Sequence, residues 1–201
     1  MVRVFVKSIN ELSDTEKDKI ISLLSSDAKK RIEKKRDAAL YTASLSALAL
    51  LASVLGEDAL SHLCYEESGR PYLDGINADV SISHSTTLVA VAVSDKKSSR
   101  AGVDLEERHL SHDEIKNIAR RFFSADEQNL LSERQYESQA FLEIWTKKEA
   151  LKKHLGTSVP FPSLDTSRPE EYGVEFITHA LPCGALAICV KKGEPYELIF
   201  S

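Results

Sequence analysis

Three stretches of this chain share one pattern, a serine followed three positions later by a glutamate with an aspartate between them: Ser13-Asp14-Thr15-Glu16, Ser111-His112-Asp113-Glu114 and Ser124-Ala125-Asp126-Glu127. In such a capping box the serine hydroxyl accepts the glutamate N–H, and the glutamate carboxylate accepts the serine N–H. Two donors that a helix start would leave orphaned are thereby satisfied. Each box therefore predicts the beginning of a helix. Between and after them lie segments of period two. Val2–Lys7 alternates apolar and polar residues, and Asp79–His84 and Leu88–Ser94 are β-rich runs separated by Ser85-Thr86-Thr87, the pattern of a hairpin. Gly102-Val103-Asp104-Leu105-Glu106 alternates as a strand, and further strands are predicted near Tyr172–Thr178, Gly184–Val190 and Tyr196–Phe200. Helices started at fixed points among short strands imply an α+β fold with helices covering sheet faces.

The remaining punctuation fills in this outline. A single helix, basic at its start, is predicted from about Asp27 to Leu55, with Gly56 as a left-handed stop. A short helix follows over Glu57–Leu63, and Ser68-Gly69-Arg70-Pro71 reads as a turn. The polar run Asp95–Arg100 is the natural connection between two lobes. FLEIWTKKEALKKHL, Phe141 to Leu155, is a helix closed by Gly156, with the sole tryptophan, Trp145, as its packing anchor. Pro160, Pro162, Pro169 and Gly173 mark a loop-rich passage. Val80–Val93 and Glu175–Val190 each carry a strand, a histidine, a turn and an Ala/Val-rich returning strand; the echo is either a duplication or a coincidence of generic strand residues, and as a duplication it predicts similar lobes at 1–98 and 99–201.

With 42% hydrophobic residues over 201 positions, the chain can bury a substantial core. No uninterrupted apolar run reaches membrane-spanning length, because Ser44, Ser46 and Ser53 interrupt the longest, and the first residues lack the apolar stretch of a secretory signal. Cys64, Cys183 and Cys189 are odd in number and form no CxxC, as expected of reduced thiols in the cytoplasm. A net charge of -5 argues against a nucleic-acid-tracking surface, so any anionic ligand must be met locally. The densest local patch is Ala28–Asp37, AKKRIEKKRD.

Candidate chemistry comes from four places. On a strand, Asp104 and Glu106 project from one face with ~6–7 Å of backbone between them, so both carboxylates can reach one point. Either they look into water or a cation such as magnesium, which takes oxygen ligands, sits between them. On the helix, Glu149 and Lys153 lie one turn apart, which describes equally an ordinary salt-bridged pair and a metal-capable carboxylate beside a phosphate-capable ammonium. His84, flanked by Ser83 and Ser85 at a strand end, is either a structural hydrogen-bonder or a phosphate contact. Arg70, stiffened between Gly69 and Pro71, is either an idle turn cation or a bidentate phosphate ligand.

Taken in order, Gly69-Arg70-Pro71, Ser81-Ile82-Ser83-His84-Ser85, Gly102-Val103-Asp104-Leu105-Glu106, Arg121-Phe122-Phe123-Ser124 with Glu127, and Trp145-Thr146-Lys147-Lys148-Glu149-Ala150-Leu151-Lys152-Lys153 resemble the 4'-phosphopantetheinyl transferase superfamily. Their order and spacing are similar to those of the long, two-lobed, surfactin-synthetase-activating type rather than the short trimeric holo-ACP-synthase type. The resemblance implies two pseudo-symmetric lobes forming an intramolecular pseudo-dimer. It also implies a cytoplasmic, monomeric enzyme that moves phosphopantetheine from coenzyme A to a serine of an acyl or peptidyl carrier protein, releasing 3',5'-ADP. Its partners would be coenzyme A and the carrier, with neither nucleic acid nor membrane.

By the same resemblance Asp104, Glu106 and Glu149 are the magnesium ligands, Lys153 neutralises the pyrophosphate, Ser83 and His84 contact coenzyme A phosphates, and Arg70 stands where the family usually has lysine. Glu149, Lys153 and His84 are the catalytic candidates, with Glu149 or a metal-bound water as the base. The family often carries an arginine in its long first helix, where this chain reads Ala39-Leu40-Tyr41-Thr42, so Arg31 and Lys35 become the candidates for the 3'-phosphate. Two other classes fit parts of the pattern: a catalytically silent relative that binds coenzyme A or carriers, and a magnesium-dependent phosphohydrolase. The second leaves Ser83, His84 and the Trp145–Lys153 helix unexplained.

Overall fold

The alternating N-terminal segment forms β1 (Val2–Ser8), with Val2, Val4 and Val6 buried on one face. A computed structural model describes residues 1–156 and 159–201. Three helices follow: α1 (Asp14–Leu23), α2 (Ser26–Glu33) and α3 (Ala38–Leu55). The sequence pattern predicts one helix over 27–55, and the structure has two. The break falls in the polar stretch 34–37, where Asp37 accepts the Leu40 N–H at 2.9 Å and starts a new helix. Gly56 does end α3, but at φ 90 and ψ 154, outside the left-handed helical region. By length and composition alone α3 could cross a membrane, yet here Leu45, Leu48 and Leu51 pack with Val80, Val89, Val91 and Val93 in the core.

A 3-10 turn over Glu57–His62 leads into β2 (Leu63–Tyr65) and β3 (Pro71–Leu73), a small hairpin whose turn is the Ser68–Pro71 segment. Then come β4 (Asp79–His84), β5 (Leu88–Ser94) and β6 (Ala101–Glu107). All three predicted capping boxes are formed, and the latter two open α4 (His112–Phe122) and α5 (Ala125–Glu133). The long helix α6 (Ser138–Leu155) ends at Gly156 in the left-handed conformation, as the sequence predicts. The chain closes with β7 (Val174–Leu181), β8 (Gly184–Lys191) and β9 (Tyr196–Phe200).

Two larger sheets stack face to face. The first has the order β4-β5-β1-β9 and the second β6-β8-β7. In each half a strand is followed by helices and then a hairpin, and the first strand lies antiparallel to the second strand of that hairpin. The last strand does not stay with its half: β9 pairs in parallel with β1, Val2 opposite Tyr196 and Val6 opposite Phe200. Between the sheets, Val4, Val6, Ala90 and Ala92 meet Val103, Leu105, Leu186 and Ile188. The outer face of the first sheet is covered by α3, and that of the second by α6, where Ala150 and Leu151 pack on Ala187 and Cys189. The fold is thus α+β in four layers, helix, sheet, sheet, helix.

Candidate active site

Strand β6 lies at one edge of its sheet, so alternate N–H groups along it have no ladder partner. They are taken by side chains of β4, the edge strand of the other sheet. Asp79 accepts from Ala101 N at 3.0 Å, the Ser81 hydroxyl from Val103 N at 3.1 Å, and the Ser83 hydroxyl from Leu105 N at 3.3 Å. The i, i+2 spacing of Asp79, Ser81 and Ser83 puts all three on one face of β4, and the β6 residues advance in step. This polar seam explains why the β4 face turned toward the second sheet is not apolar. Ser83 does more than close the seam, since its hydroxyl also donates to Asp104 Oδ1 at 2.9 Å.

From the other side α6 comes up to β6 at Gly102. A Cβ there would stand 1.9 Å from the Ala150 carbonyl oxygen and 2.8 Å from the His154 nitrogen, so only glycine admits the helix. Glu149 and Lys153 flank this contact. The Lys153 ammonium donates to Asp104 Oδ1 at 2.7 Å and to the Val103 carbonyl at 3.0 Å. Its alternative role as a simple partner of Glu149 on the helix is not what the structure has, because Lys153 is drawn across to the strand.

Asp104 is 6% exposed, and its Oδ2 is buried with no hydrogen-bond partner. Burial pushes the Glu149 carboxyl above the ordinary range, and the Asp104 and Glu106 charges push it further against the pull of Lys153 and Lys152. Glu106 is raised too, by burial first, with Arg108 opposing and Asp104 adding to the rise. Arg108 Nε stands 3.8 Å from Glu106 Oε1, beyond hydrogen-bonding distance. Three acids thus share one neighbourhood with too little positive charge around them. They are not gathered into a finished cage: among the described residues no group of three or more His, Cys, Asp or Glu is placed to hold a metal ion. The donor chemistry nonetheless fits a hard cation, which takes carboxylate oxygens and would satisfy the orphaned Asp104 Oδ2.

Beside the acids opens a basic cavity of about 240 Å³ lined by Arg31, Lys35, Tyr65, Gly69, His84 and Lys153 among others. The Arg31 guanidinium lies 4.4 Å above the Tyr65 ring, with Gly69 leaving it room. Burial lowers the Lys35 ammonium, helped by Arg31, and burial followed by Lys35 and Lys153 lowers His84. A smaller cavity of about 180 Å³ shares Lys153 and Gly69 and adds Glu149 and Lys152, while a third, of about 380 Å³, joins His84 to Glu106, Leu40 and Thr86. Lys153 and His84 are therefore the residues at which the cavities meet the acids.

Arg70 also lines the cavity of about 180 Å³, but its guanidinium is engaged within the protein. Its side chain is 3% exposed and paired with Asp79 at 2.7 Å. Its remaining donors go to the carbonyls of Lys153 at 2.6 Å, Pro71 at 3.2 Å and Ala101 at 3.2 Å. The guanidinium was legible as pre-organised, but its partners come from three distant parts of the chain. Asp79, Ser81 and Gly102 were likewise missed as site builders. The D-x-S-x-S alternation of polar residues in an otherwise apolar strand was the available signal.

Lys148, in the middle of the lysine-rich motif, turns away from the site. It is fully buried, donates to Glu127 at 2.8 Å and to the Leu164 carbonyl, and is structural. Trp145 anchors α6 as predicted, in contact with Phe122, Phe141 and Phe161.

Seam, glycine contact and acid cluster all lie in or against β6, and it is the β6-to-β8 part of the chain that resembles known proteins. Residues 100–188 match the family model of the 4'-phosphopantetheinyl transferase superfamily, which supports the superfamily. A search of curated proteins finds no match.

Proposed function

We propose that this protein transfers the 4'-phosphopantetheine group from coenzyme A to a serine of an apo acyl or peptidyl carrier protein, with magnesium, releasing 3',5'-ADP. The observation that carries the reading is the contact of Lys153 with Asp104 at the wall of the cavity that Arg31, Lys35 and His84 line. It joins an under-neutralised carboxylate group to a basic, concave, phosphate-sized surface, within reach of the matched family region.

In this mechanism Arg31 and Lys35 take the 3'-phosphate and His84 contacts the pyrophosphate side, while Ser83, whose hydroxyl donates to Asp104 at 2.9 Å, holds that carboxylate in place instead of meeting a phosphate. The carrier serine oxygen attacks the phosphorus that bears pantetheine, the phosphoanhydride P–O bond breaks, and the electron pair leaves on 3',5'-ADP. Lys153 meets the charge that develops on that leaving phosphate. Glu149, a carboxylate on α6 beside Lys153, takes the serine proton. Asp104, Glu106 and Glu149 would hold the magnesium ion, which when bound supplies charge neutralisation to the pyrophosphate. The two-lobed, pseudo-dimeric type is supported by the repeated strand, helices and hairpin order in each half; a monomer acting in the cytoplasm belongs to the same proposal.

The decisive test is mass spectrometry of several apo acyl and peptidyl carrier proteins incubated with the protein, coenzyme A and magnesium. A mass gain of one phosphopantetheine on a carrier is expected, and no gain on any carrier refutes the reading. Magnesium-dependent coenzyme A binding without turnover would instead define a silent relative, and coenzyme A hydrolysis without an acceptor a phosphohydrolase. Asp104→Ala and Glu149→Ala should each reduce transfer by at least ~10²-fold with the fold intact by circular dichroism, the scale of losing one electrostatic contact to a transition state. Near-normal activity in either variant contradicts the metal assignment.

A further inference from the structure

The C-terminal turn of α6, which carries Lys153, is held by two arginines from outside the helix. Arg70, in the turn between β2 and β3, donates through Nε to the Lys153 carbonyl at 2.6 Å, and Arg100, just before β6, donates to the Leu155 carbonyl at 3.0 Å. Both reach carbonyls that a helix end leaves without internal partners, where a cation is also favoured by the helix dipole. Each arginine is itself tied to the first half of the chain, Arg70 to buried Asp79 at 2.7 Å and Arg100 to Glu66 at 2.8 Å. Asp79 also accepts from Ala101 N, and Arg70 donates to Ala101 O at 3.2 Å, so the same two side chains grip both backbone groups of the first β6 residue. The Arg70–Asp79 pair therefore fixes at one point the three elements whose meeting makes the site: β4, β6 and the turn of α6 that bears Lys153.

We infer that Arg70 is a positioning residue for Lys153: its fork, held by Asp79, clamps the Lys153 carbonyl and so sets where the ammonium stands relative to Asp104. This inference rests on the phosphopantetheine-transfer reading. It departs from the phosphate contact that a guanidinium held in the Gly69–Pro71 turn could make, because the fork is committed to Asp79 and to three backbone carbonyls. A lysine would satisfy Asp79 with a point charge but could not at the same time reach the Lys153 and Ala101 carbonyls with a planar fork.

The test is a double-mutant cycle between Arg70→Lys and Lys153→Ala, read as kcat and KM for carrier modification with coenzyme A and with 3'-dephospho-coenzyme A. Arg70→Lys is expected to lower kcat by about 10²-fold, the effect of roughly 1 Å of misplacement at a reacting group. The loss should be equal for the two donors, and absent when Lys153 is already alanine. A loss confined to coenzyme A and seen in its KM would make Arg70 a 3'-phosphate ligand and overturn the inference, as would penalties that simply add. If Arg70→Lys does not fold, Arg70→Met with Asp79→Leu removes the buried pair together, a change that need not destabilise. Unchanged kcat in that variant overturns the inference. No transfer by the unmutated protein refutes the underlying function, whereas transfer by the unmutated protein with additive penalties refutes only the positioning role.

Discussion

Gly102 sets the distance between α6 and β6, and it does so by lacking a side chain. The Ala150 carbonyl occupies the space where a Cβ would stand, 1.9 Å away, and backbone cannot rotate aside as a flexible side chain can. Gly102→Ala must push α6 off β6. A destabilisation of ~1–3 kcal/mol is expected from such overpacking, read as a lower urea midpoint at unchanged slope. A variant of unaltered stability would show that the contact is looser than described. The glycine was visible in the sequence only as part of a motif; that it faces a helix carbonyl depends on a residue 48 positions later, which no local pattern encodes. Asp104 is a similar case. Its alternation with Glu106 was legible, but its orphaned Oδ2 and its bonds to Ser83 and Lys153 arise only where two sheets and a helix converge.

At the scale of elements, α6 distributes lysines that look alike in sequence among different tasks. Lys148 and Lys153 are five residues apart, roughly 140° around the helix, so one enters the core and the other faces the cleft. Lys148 meets Glu127, and both are 0% exposed. Glu127 also accepts the Ser124 N–H as the cap of α5 and the Thr166 N–H and hydroxyl at 2.8 Å. The carboxylate readable as a helix cap is therefore also the counterion of a buried lysine, and it ties α5, α6 and the 164–166 loop together. Lys148→Met should cost ~3–5 kcal/mol by leaving Glu127 charged, buried and unpaired, while Lys148→Met with Glu127→Leu should recover much of that. Equal midpoints for the single and double variants in denaturant melts would argue against the pairing. Caps were readable because they are local. The break between α2 and α3 was not, because helical propensity runs through the 34–37 stretch and the Asp37 cap competes with it.

For the whole molecule the consequence is a stability that depends on pH and on cations together. Glu106 and Glu149 have folded-state carboxyls raised above the ordinary 4.5, so the folded state holds their protons more tightly than the unfolded chain does. Their favourable contribution is complete below that ordinary value and is lost as pH rises through the raised ones. Without divalent ions the Tm contribution from these groups should fall over that window. Magnesium should raise Tm at pH 7.5 and have little effect below pH ~4.5, where the carboxylates are protonated. Glu149→Gln should weaken both trends in differential scanning fluorimetry, and a magnesium shift equal at the two pH values would contradict the acid cluster as its source.

The sequence by itself determined most of the longer elements, the three capping boxes, the stop at Gly156 and the candidates Ser83, His84, Asp104, Glu106, Glu149 and Lys153. Those are consequences of period, spacing and side-chain chemistry within a few residues. The tertiary structure alone decided which of them act together. It sent β9 back to β1, turned Asp79, Ser81 and Ser83 onto the bare N–H groups of β6, tied Arg70 to Asp79 and the Lys153 carbonyl, and drew Lys153 from Glu149 to Asp104. The reason is physical: an edge strand must find donors' partners somewhere, a helix end must have its carbonyls met, and a buried charge must have its opposite, and in a folded chain those partners come from whichever segment packing brings near.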